Sequence, residues 1–297
     1  MVWDTIHGRD PAQPAIEEWG GISYSLAALD ATLRDDWQIV PLVKVGRDLA
    51  ARANDFLATL HHVAPGARFF EVPAPNNRVT LRYHQLERRC EQMSGGVPPW
   101  TWPELGPQVR DLDALYVNFI SGYEMDLEAT RLLRRGFPRF IYADMHSLFL
   151  GKEPDGTRVP QPLPDVSDWF GCFDTVQLNE DEMAQLGPDP LVVAAGALAR
   201  GCQTLVVTLG ARGAAYFTGR PIRSARIAPD MAPAPEAGGG DPTGCGDVLG
   251  ATVAASLIAG VAVEAALRLG VHMGTRNVSH RGASGLRDHL LGRLSAV

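Results

Sequence analysis

Cysteine is scarce in this sequence, and its spacing builds no recognisable site. None of the four cysteines belongs to a Cys-x-x-Cys pair; they are Cys90, Cys172, Cys202 and Cys245. Such scattered positions fit neither a zinc site nor a disulfide framework. We therefore expect a reduced protein of the cytoplasm, and the acidic residues among the first thirty positions argue against a signal peptide.

Positive charge is also sparse, and it is not clustered. The formal net charge is −7 at pH 7, and lysine occurs only as Lys44 and Lys152. Nucleic acids and anionic membrane surfaces attract clustered positive charge, so we expect neither as a partner. The longest weakly polar run, Val248–Val263, is short and rich in Gly, Ala, Ser and Thr. It predicts a buried helix rather than a membrane span.

Several well-known nucleotide-binding patterns are missing. The sequence has no Gly-x-x-x-x-Gly-Lys-Ser/Thr motif, which excludes P-loop kinases and ATPases on motif grounds. It also lacks the motif set of the protein kinases. No Gly-x-Gly-x-x-Gly follows a predicted strand ahead of an early helix, which argues against a dehydrogenase-type α/β protein.

Apolar, β-branched runs alternate with helical patterns along the 297 residues. The predicted strands are Ile39–Val45, Val79–Tyr83, Ala114–Phe119, Phe140–Ala143, Thr175–Leu178 and Leu205–Leu209. The predicted helices are Gly21–Leu33, Leu49–Leu60, Leu127–Arg135, Glu180–Leu186, Leu191–Arg200, Gly246–Ala259 and Val263–His280. This alternation predicts a doubly wound α/β fold, with a mostly parallel sheet covered by helices on both faces. Ligands of such sheets bind beyond the carboxyl ends of the strands.

Two segments interrupt this alternation. Ala67–Glu104 combines short strand-like pieces with turn residues, and together with Gly8–Glu18 it predicts a small β lid over the site. Trp100 and Trp102 within it could cover a sugar face or pack in a homodimer. Ala228–Gly240 is rich in Pro, Ala and Gly, which predicts a flexible loop before the next motif.

That motif is Asp241-Pro-Thr-Gly-Cys-Gly-Asp247, directly before an apolar helix. The first N–H groups of a helix have no intrahelical partner, and the helix dipole favours negative charge there, so Gly244, Cys245 and Gly246 could cradle a phosphate. Asp247 could then accept the proton of an attacking hydroxyl. The alternative is purely local: Asp241 or Thr243 caps the helix, and Asp247 is a first-turn acid.

Asp241–Asp247 resembles the Asp-x-Thr-Gly-Ala-Gly-Asp signature of the ribokinase-like, PfkB-type carbohydrate kinases. Cys245 stands where that family usually has Ala, and it places a thiol at a helix start, where thiolate is favoured. The resemblance implies a single ribokinase-like α/β domain over residues 1–297, with Asp247 as base and Gly244, Cys245 and Gly246 as anion hole. It also implies ATP and Mg²⁺ as cofactors.

Two further motifs support the resemblance. Asn179-Glu-Asp-Glu182 matches the family's Asn-x-x-Glu motif, which implies that Asn179 and Glu182 organise magnesium, largely through water. A capped helix with an acidic first turn would give the same pattern. Thr208, Gly210 and Gly213 match the Thr-x-Gly-x-x-Gly nucleotide segment, to which the resemblance adds Asp241 and Thr243 on the nucleotide side.

The substrate side of the resemblance lies near the start of the chain. Asp4, Gly20 and Gly21 match the early Asp and the Gly-Gly pair that hold sugar hydroxyls in the family, and Ser25 stands where an Asn is usual. Asn118 ends a predicted strand and is a further substrate candidate, while Asp144 and His146 follow the next strand and are candidates for substrate or magnesium. The family's first strand looks shortened, because the chain reaches Asp4 almost at once.

We therefore expect transfer of the ATP γ-phosphoryl group to a hydroxyl of a small sugar or nucleoside. The competing hypothesis is a kinase-like protein that senses a sugar or nucleotide without turnover. A homodimer is conceivable, since lids of this family often pair.

Overall fold

The computed structural model describes residues 1–7, 14–83, 89–230 and 241–293. The strands in these ranges are β1 Val2–His7, β2 Ile16–Gly20, β3 Lys44–Gly46, β4 Phe70–Val72, β5 Asn77–Tyr83, β6 Arg89–Ser94, β7 Ala114–Asn118, β8 Phe140–Asp144, β9 Leu150–Lys152, β10 Arg158–Pro160, β11 Thr175–Asn179, β12 Thr204–Thr208, β13 Ala214–Thr218 and β14 Arg223–Ile227. The α-helices are α1 Ile22–Thr32, α2 Ala50–Leu57, α3 Trp102–Val109, α4 Leu127–Gly136, α5 Val166–Phe170, α6 Glu180–Leu186, α7 Pro190–Ala199, α8 Cys245–Ile258, α9 Val263–Asn277 and α10 Leu286–Leu290.

A six-stranded sheet in the order β14-β13-β12-β11-β8-β7 forms the centre of the molecule. β7, β8, β11 and β12 run parallel, whereas β13 and β14 are antiparallel additions at one edge. The pairing aligns the carboxyl ends of the parallel strands, so that Asn118 lies opposite Asp144, and Asp144 lies opposite Gln177. The predicted doubly wound, mostly parallel sheet is confirmed.

Both faces of this sheet are covered by helices, as the near-continuous apolar strands predict. Side chains alternate between the faces with a period of two, so Ile141 and Ala143 join one core while Tyr142 joins the other. The first core is completed by α3, α4, α5 and α7, and the second by α8 and α9. Within the described ranges, every helix is too short or too polar to cross a membrane.

A separate four-stranded sheet, ordered β2-β1-β5-β6, forms the lid. β1 pairs in parallel with β5 and antiparallel with β2, which places Asp4 opposite Val79 and Glu18. The predicted lid segments overlap β2, β5 and β6, whereas β1 was not part of the prediction and β4 pairs with β3 instead. Residues 8–13 and 84–88 lie outside the described residues. Trp102 belongs instead to α3, and its ring packs against Gly106 and Gly136.

The predicted strand Ile39–Val45 is wrong in extent. Only β3 forms, and it pairs with β4, while Ile39 makes an isolated bridge to Val63. Pro41 lies between them and has no N–H to donate to a ladder, which explains the interruption. The helix predicted to reach His280 ends at Asn277.

Helix α3 was not predicted, although the sequence carries a signal for it. Thr101 and Glu104 form a reciprocal capping box. The Thr101 side chain accepts from the Glu104 backbone, and the Glu104 side chain accepts from the Thr101 backbone. Pro103 lies in the first turn. Pro107 lies inside the helix, and the low helix propensity of proline argues against a helix in the sequence despite the capping box.

The central sheet ends at β7 on one side. β1 belongs to the lid, and among the described residues no strand pairs with the outer edge of β7. An apolar groove lies there instead, lined among others by Leu42, Val43, Leu115 and Val117. The predicted flexible loop lies mostly outside the described residues, which exclude positions 231–240.

Asp30 in α1 is expected to be a major determinant of stability. Its carboxylate is fully buried, accepts the N–H groups of His61 and His62, and lies 2.8 Å from Nε of Arg287 in an ion pair. Asp30→Ala takes the acceptor from two backbone N–H groups and leaves Arg287 paired with the more exposed Asp288, so it should lower the free energy of unfolding by about 3–5 kcal/mol. Urea unfolding measures this change.

The matched control is Asp36→Ala, which breaks the exposed pair between Arg34 and Asp36. Exposed ion pairs contribute about 1 kcal/mol or less, so this variant should stay close to wild type. Equal losses in the two variants would contradict the structural role assigned to Asp30.

Candidate functional site

A cavity lies between the lid and the carboxyl ends of the parallel strands. The strand ends contribute Asn118, Asp144, Asn179 and Thr208, and the lid contributes Asp4. The start of α8 closes the far side with Thr243, Gly244, Gly246 and Asp247. Gly21, His146, Gln177 and Glu182 also line this space. Ten of the sixteen site residues predicted from the sequence therefore surround one cavity.

The remaining six predicted residues lie around this lining. Four of them stand directly behind it, in contact with residues that line the cavity: Ser25, Gly20, Cys245 and Asp241. Gly210 and Gly213 belong to the turn that follows β12. Gly213 has φ 88° and its N–H donates to Gly210 O, which turns the chain into the hairpin with β13. Thr208 is thus the member of the predicted nucleotide segment that reaches the cavity.

The start of α8 has the backbone shape that its glycines predict. Gly244 has φ 77°, and a Cβ at this position would come within 2.2 Å of the Tyr24 ring. The Cys245 N–H donates to Pro242 O at 3.2 Å, and the Val248 N–H donates to Gly244 O at 2.9 Å. The other two of the first four residues of α8, Gly246 and Asp247, both line the cavity, where helix-start N–H groups can meet an anion.

Asp247 is held by a buried polar chain. Nδ2 of Asn118 donates to Oδ1 of Asp247 at 2.6 Å and to Oγ of Ser25 at 3.1 Å. Ser25 is fully buried, and its hydroxyl also lies 3.3 Å from the hydroxyl of Tyr116. Ser25 therefore supports Asn118 from behind, and Asn118 in turn orients the Asp247 carboxylate.

Asp144 is a second carboxyl group next to Asp247. It is 5% exposed; its Oδ2 accepts from Nε2 of Gln177 at 2.7 Å, and its Oδ1 accepts from the His146 N–H at 3.1 Å. Burial, followed by the negative charge of Asp247, raises the pKa of Asp144 to about 7, although nearby His146 opposes the shift. One of two adjacent carboxyl groups is thus easily protonated near neutral pH.

Gln177 was not predicted as a site residue. Its Oε1 accepts from the Tyr142 hydroxyl at 2.7 Å, and its Nε2 donates to Gly246 O at 3.1 Å as well as to Asp144. The sequence did carry a signal, because Gln177 is an amide within an otherwise apolar strand. Its contact with Gly246 joins the start of α8 to the centre of the sheet.

Asn179 and Glu182 form the helix cap that their spacing allows. Oδ1 of Asn179 accepts from the Glu182 N–H at 2.9 Å, and Oε2 of Glu182 accepts from the Asn179 N–H at 2.8 Å. Oε1 of Glu182 contacts Nδ1 of His146 at 2.5 Å. In the described part of the chain, no three His, Cys, Asp or Glu side chains converge on one point as a metal site would require.

The two early glycines pack where side chains could not fit. A Cβ on Gly20 would lie 1.9 Å from Oδ2 of Asp4, and Gly21 has φ 49° with Ile120 beside it. Asp4 itself is 7% exposed. These glycines let the chain turn from the lid into α1 directly beside the Asp4 carboxylate.

The expected thiolate character of Cys245 is wrong. Desolvation raises the pKa of the Cys245 thiol to about 12, and the charges of Asp241 and Asp247 act in the same direction. The hydrogen bond from Nδ2 of Asn277 lowers it, but less strongly. The residue is therefore a neutral thiol that fills space at the helix start.

The raised pKa of Asp144 should make stability depend on pH. Because the folded-state pKa of about 7 exceeds the usual 3.8, the stability that the protonated group contributes below pH 4 is lost as pH rises toward and through 7. Asp144→Asn cannot ionise and therefore does not lose this stability. Between pH 5 and pH 8, the free energy of unfolding of the variant minus that of wild type should rise by on the order of 2 kcal/mol. Urea unfolding at both pH values measures this difference, and Asp36→Asn is the control. A difference between Asp144→Asn and wild type that is the same at pH 5 and pH 8 would contradict the prediction.

Comparison with known proteins extends these observations. Residues 153–289 match the family model of the pfkB family carbohydrate kinases, a range that contains Asn179, Glu182, Thr208 and the whole Asp241–Asp247 motif. No curated protein matches the sequence.

Solved structures match almost the entire chain. A pyrophosphate-dependent kinase of the ribokinase family has 16% identity and a TM-score of 0.75, over 99% of this chain and 96% of that one. The nucleoside kinase of Burkholderia thailandensis, in complex with inosine, has 17% identity and a TM-score of 0.71, over 98% and 94%. The ribokinase of Arabidopsis thaliana, complexed with ribose and ATP, has 18% identity and a TM-score of 0.68, over 98% and 95%.

These comparisons confirm the resemblance inferred from the motifs: the chain has the ribokinase-like fold, and its residues 153–289 carry the sequence pattern of the pfkB family carbohydrate kinases.

Proposed function

We propose that the protein is a kinase that transfers the γ-phosphoryl group of ATP to a hydroxyl of a small sugar or nucleoside. The observation that carries this proposal is the position of Asp247, a carboxylate in the first turn of α8, which lines the same cavity as the start of that helix and the strand ends. A positioned base beside an anion-binding helix start is the arrangement that phosphoryl transfer to an alcohol requires.

Asp247 acts as the general base in this proposal. It accepts the proton of the acceptor hydroxyl as the oxygen attacks phosphorus, which raises the nucleophilicity of that oxygen at the moment of transfer. Asn118 donates to Oδ1 of Asp247, so the carboxylate is fixed, and the Oδ2 side can face the acceptor. Protonation of neighbouring Asp144 would leave Asp247 as the ionised member of the pair.

The start of α8 stabilises charge on the transferring group. The Gly246 and Asp247 N–H groups, with that of Gly244, are proposed to donate to the phosphoryl oxygens, and the helix dipole adds to this stabilisation. Gly246 keeps the approach open, because a Cβ at this position would meet no atom closer than 3.8 Å and would occupy this open space.

Magnesium and ATP fit the residues on the nucleotide side. The oxygens of Asn179 and Glu182 are already engaged in the helix cap, which suits a hard cation that keeps most of its waters and is held through them. When bound, Mg²⁺ would neutralise charge on the transferring phosphates. Thr208 lies at the neighbouring strand end, and ribokinase of Arabidopsis thaliana is described with ATP, which supports this choice of donor.

The acceptor is proposed to be uncharged. Five carboxyl groups line the cavity: Asp4, Glu91, Asp144, Glu182 and Asp247. Among the described lining residues, His146 is the sole side chain that could carry positive charge. Asp4 and the adjacent glycines suit hydroxyl groups as partners, since a carboxylate accepts their hydrogen bonds.

One prediction from this proposal concerns the general base, Asp247. Asp247→Asn should lower kcat by at least about 100-fold, because the amide cannot accept the hydroxyl proton. ADP release with Mg-ATP, measured across pentoses, hexoses, sugar acids and nucleosides, first identifies the acceptor and then compares the variant. The panel is repeated with pyrophosphate as donor, because one similar structure uses it.

Asp181→Asn is the matched control, since Asp181 is an exposed acid in the first turn of α6. Near-normal turnover of Asp247→Asn would remove this residue from the mechanism. If the protein binds ligands but shows no turnover with any donor, the sensor hypothesis is favoured instead. No observation on the described residues supports that hypothesis.

A further prediction from this proposal concerns the charge of the acceptor. In matched pairs such as galactose and galacturonate, ribose and ribose 5-phosphate, or uridine and its monophosphate, the neutral member should have at least about tenfold higher kcat/KM, since like charges repel strongly in a partly desolvated site. Glu91→Gln should narrow this gap, because it removes one carboxylate from the lid side. Preference for the anionic members would contradict the proposed acceptor class.

A further inference from the structure

The loop Asp241–Asp247 is held from behind by the last turn of α9. Asn277, the final residue of α9, is fully buried, and its Nδ2 donates to Thr243 O at 2.8 Å and to Sγ of Cys245 at 3.4 Å. The next residue, Val278, accepts from the Asp241 N–H through its carbonyl at 3.0 Å. Two consecutive residues at one helix end therefore hold both the beginning and the middle of the loop.

Helix α9 reaches the loop because it packs closely against α8. A Cβ on Gly274 would lie 3.1 Å from Cys245 O, and a Cβ on Gly270 would lie 2.6 Å from the Val253 side chain. Gly270, Gly274 and Asn277 are spaced by four and three residues, which places them along one face of the helix. This close face brings the Asn277 amide to the loop.

The bond to Thr243 O fixes a complete peptide unit. The Thr243 carbonyl and the Gly244 N–H belong to one planar trans peptide and point in opposite directions. Because the carbonyl faces Asn277, the Gly244 N–H faces away from α9, toward the cavity that Thr243 and Gly244 line. Rotation of this peptide would turn that donor away from the cavity.

The Asn277 amide uses only its donor side. In the described part of the chain, Oδ1 of Asn277 is buried and has no hydrogen-bond partner. An unpaired buried amide oxygen is destabilising, and an apolar side chain of similar shape would avoid it. The donor on Nδ2 is therefore the feature that distinguishes Asn277 from a leucine.

We propose that Asn277 is a positioning residue that orients the Gly244 N–H as a donor to the phosphoryl group. The inference rests on the proposed function, since it concerns the same anion-binding loop. Asn277 is not one of the residues that line the cavity, and in this proposal it acts through the Thr243–Gly244 peptide.

The test compares Asn277→Leu with Thr275→Val, a control two residues earlier whose hydroxyl donates to Val271 O within α9. Asn277→Leu should lower kcat at least about tenfold. The loss is smaller than for deletion of an oxyanion donor, because the Gly244 N–H is reoriented and not removed. The KM of the acceptor should change less than about threefold. Thr275→Val should stay near wild type. Asn277→Ala also removes the donor. It replaces the leucine variant if that variant does not fold, and it should show the same loss of turnover.

Two readouts do not depend on turnover. Calorimetric titration with pyrophosphate should show weaker binding to Asn277→Leu than to wild type and Thr275→Val, by at least about fivefold, since a misdirected donor is lost to the anion. Hydrogen exchange should become faster in the peptide that contains Asp241–Asp247. If no acceptor is ever phosphorylated, the proposed function fails while these readouts still decide the role of Asn277.

Wild-type pyrophosphate affinity and loop protection in both Asn277 variants would overturn the inference. Equal losses in Thr275→Val would also overturn it, because they would assign the effect to the packing of α9. Failure of the wild-type protein to bind pyrophosphate, phosphate or ATP would overturn the inference and the proposed function together.

Discussion

The contact on which the site depends is the buried amide of Gln177. It lies on a strand at the centre of the sheet and bonds at once to Tyr142, Asp144 and the backbone of Gly246. A buried amide that lost these partners would destabilise the fold, so the network permits few arrangements. The start of α8 is thereby fixed relative to the strand ends, and Gly250 allows the approach, because a Cβ there would lie 2.5 Å from Oε1 of Gln177.

Crowding of carboxyl groups follows from this arrangement. The register of the parallel strands places Asp144 between Asn118 and Gln177, and the helix start brings Asp247 beside them. Burial, followed by the negative charge of Asp247, raises the pKa of Asp144, so Asp144 takes up a proton near neutral pH and the repulsion between the two carboxyl groups is relieved. Asn118 donates a short hydrogen bond to the neighbouring Asp247 carboxylate.

The site also shows that a local and a functional reading of one motif can be compatible. Asn179 and Glu182 form a capping box, and Asp241 accepts the N–H of Thr243 in a turn, as their spacing alone would suggest. These local bonds hold the same oxygens at the edge of the cavity. A carboxylate has several lone pairs, so a cap does not exhaust its capacity to accept hydrogen bonds from water around a cation.

The sequence by itself determined the fold class and ten of the residues that line the cavity, because apolar periodicity and short glycine motifs are local properties. The alternating runs predicted the parallel sheet, and the Asp241–Asp247 motif predicted the start of α8, whose shape depends on backbone conformations that only glycine adopts easily. Gln177 and Asn277 escaped prediction as site residues because each acts on residues far away in the chain, and an isolated amide carries no spacing pattern.

The tertiary structure alone decided that Ser25 stands behind Asn118 and that Cys245 is a neutral thiol, since burial and neighbouring charges are properties of the packed molecule.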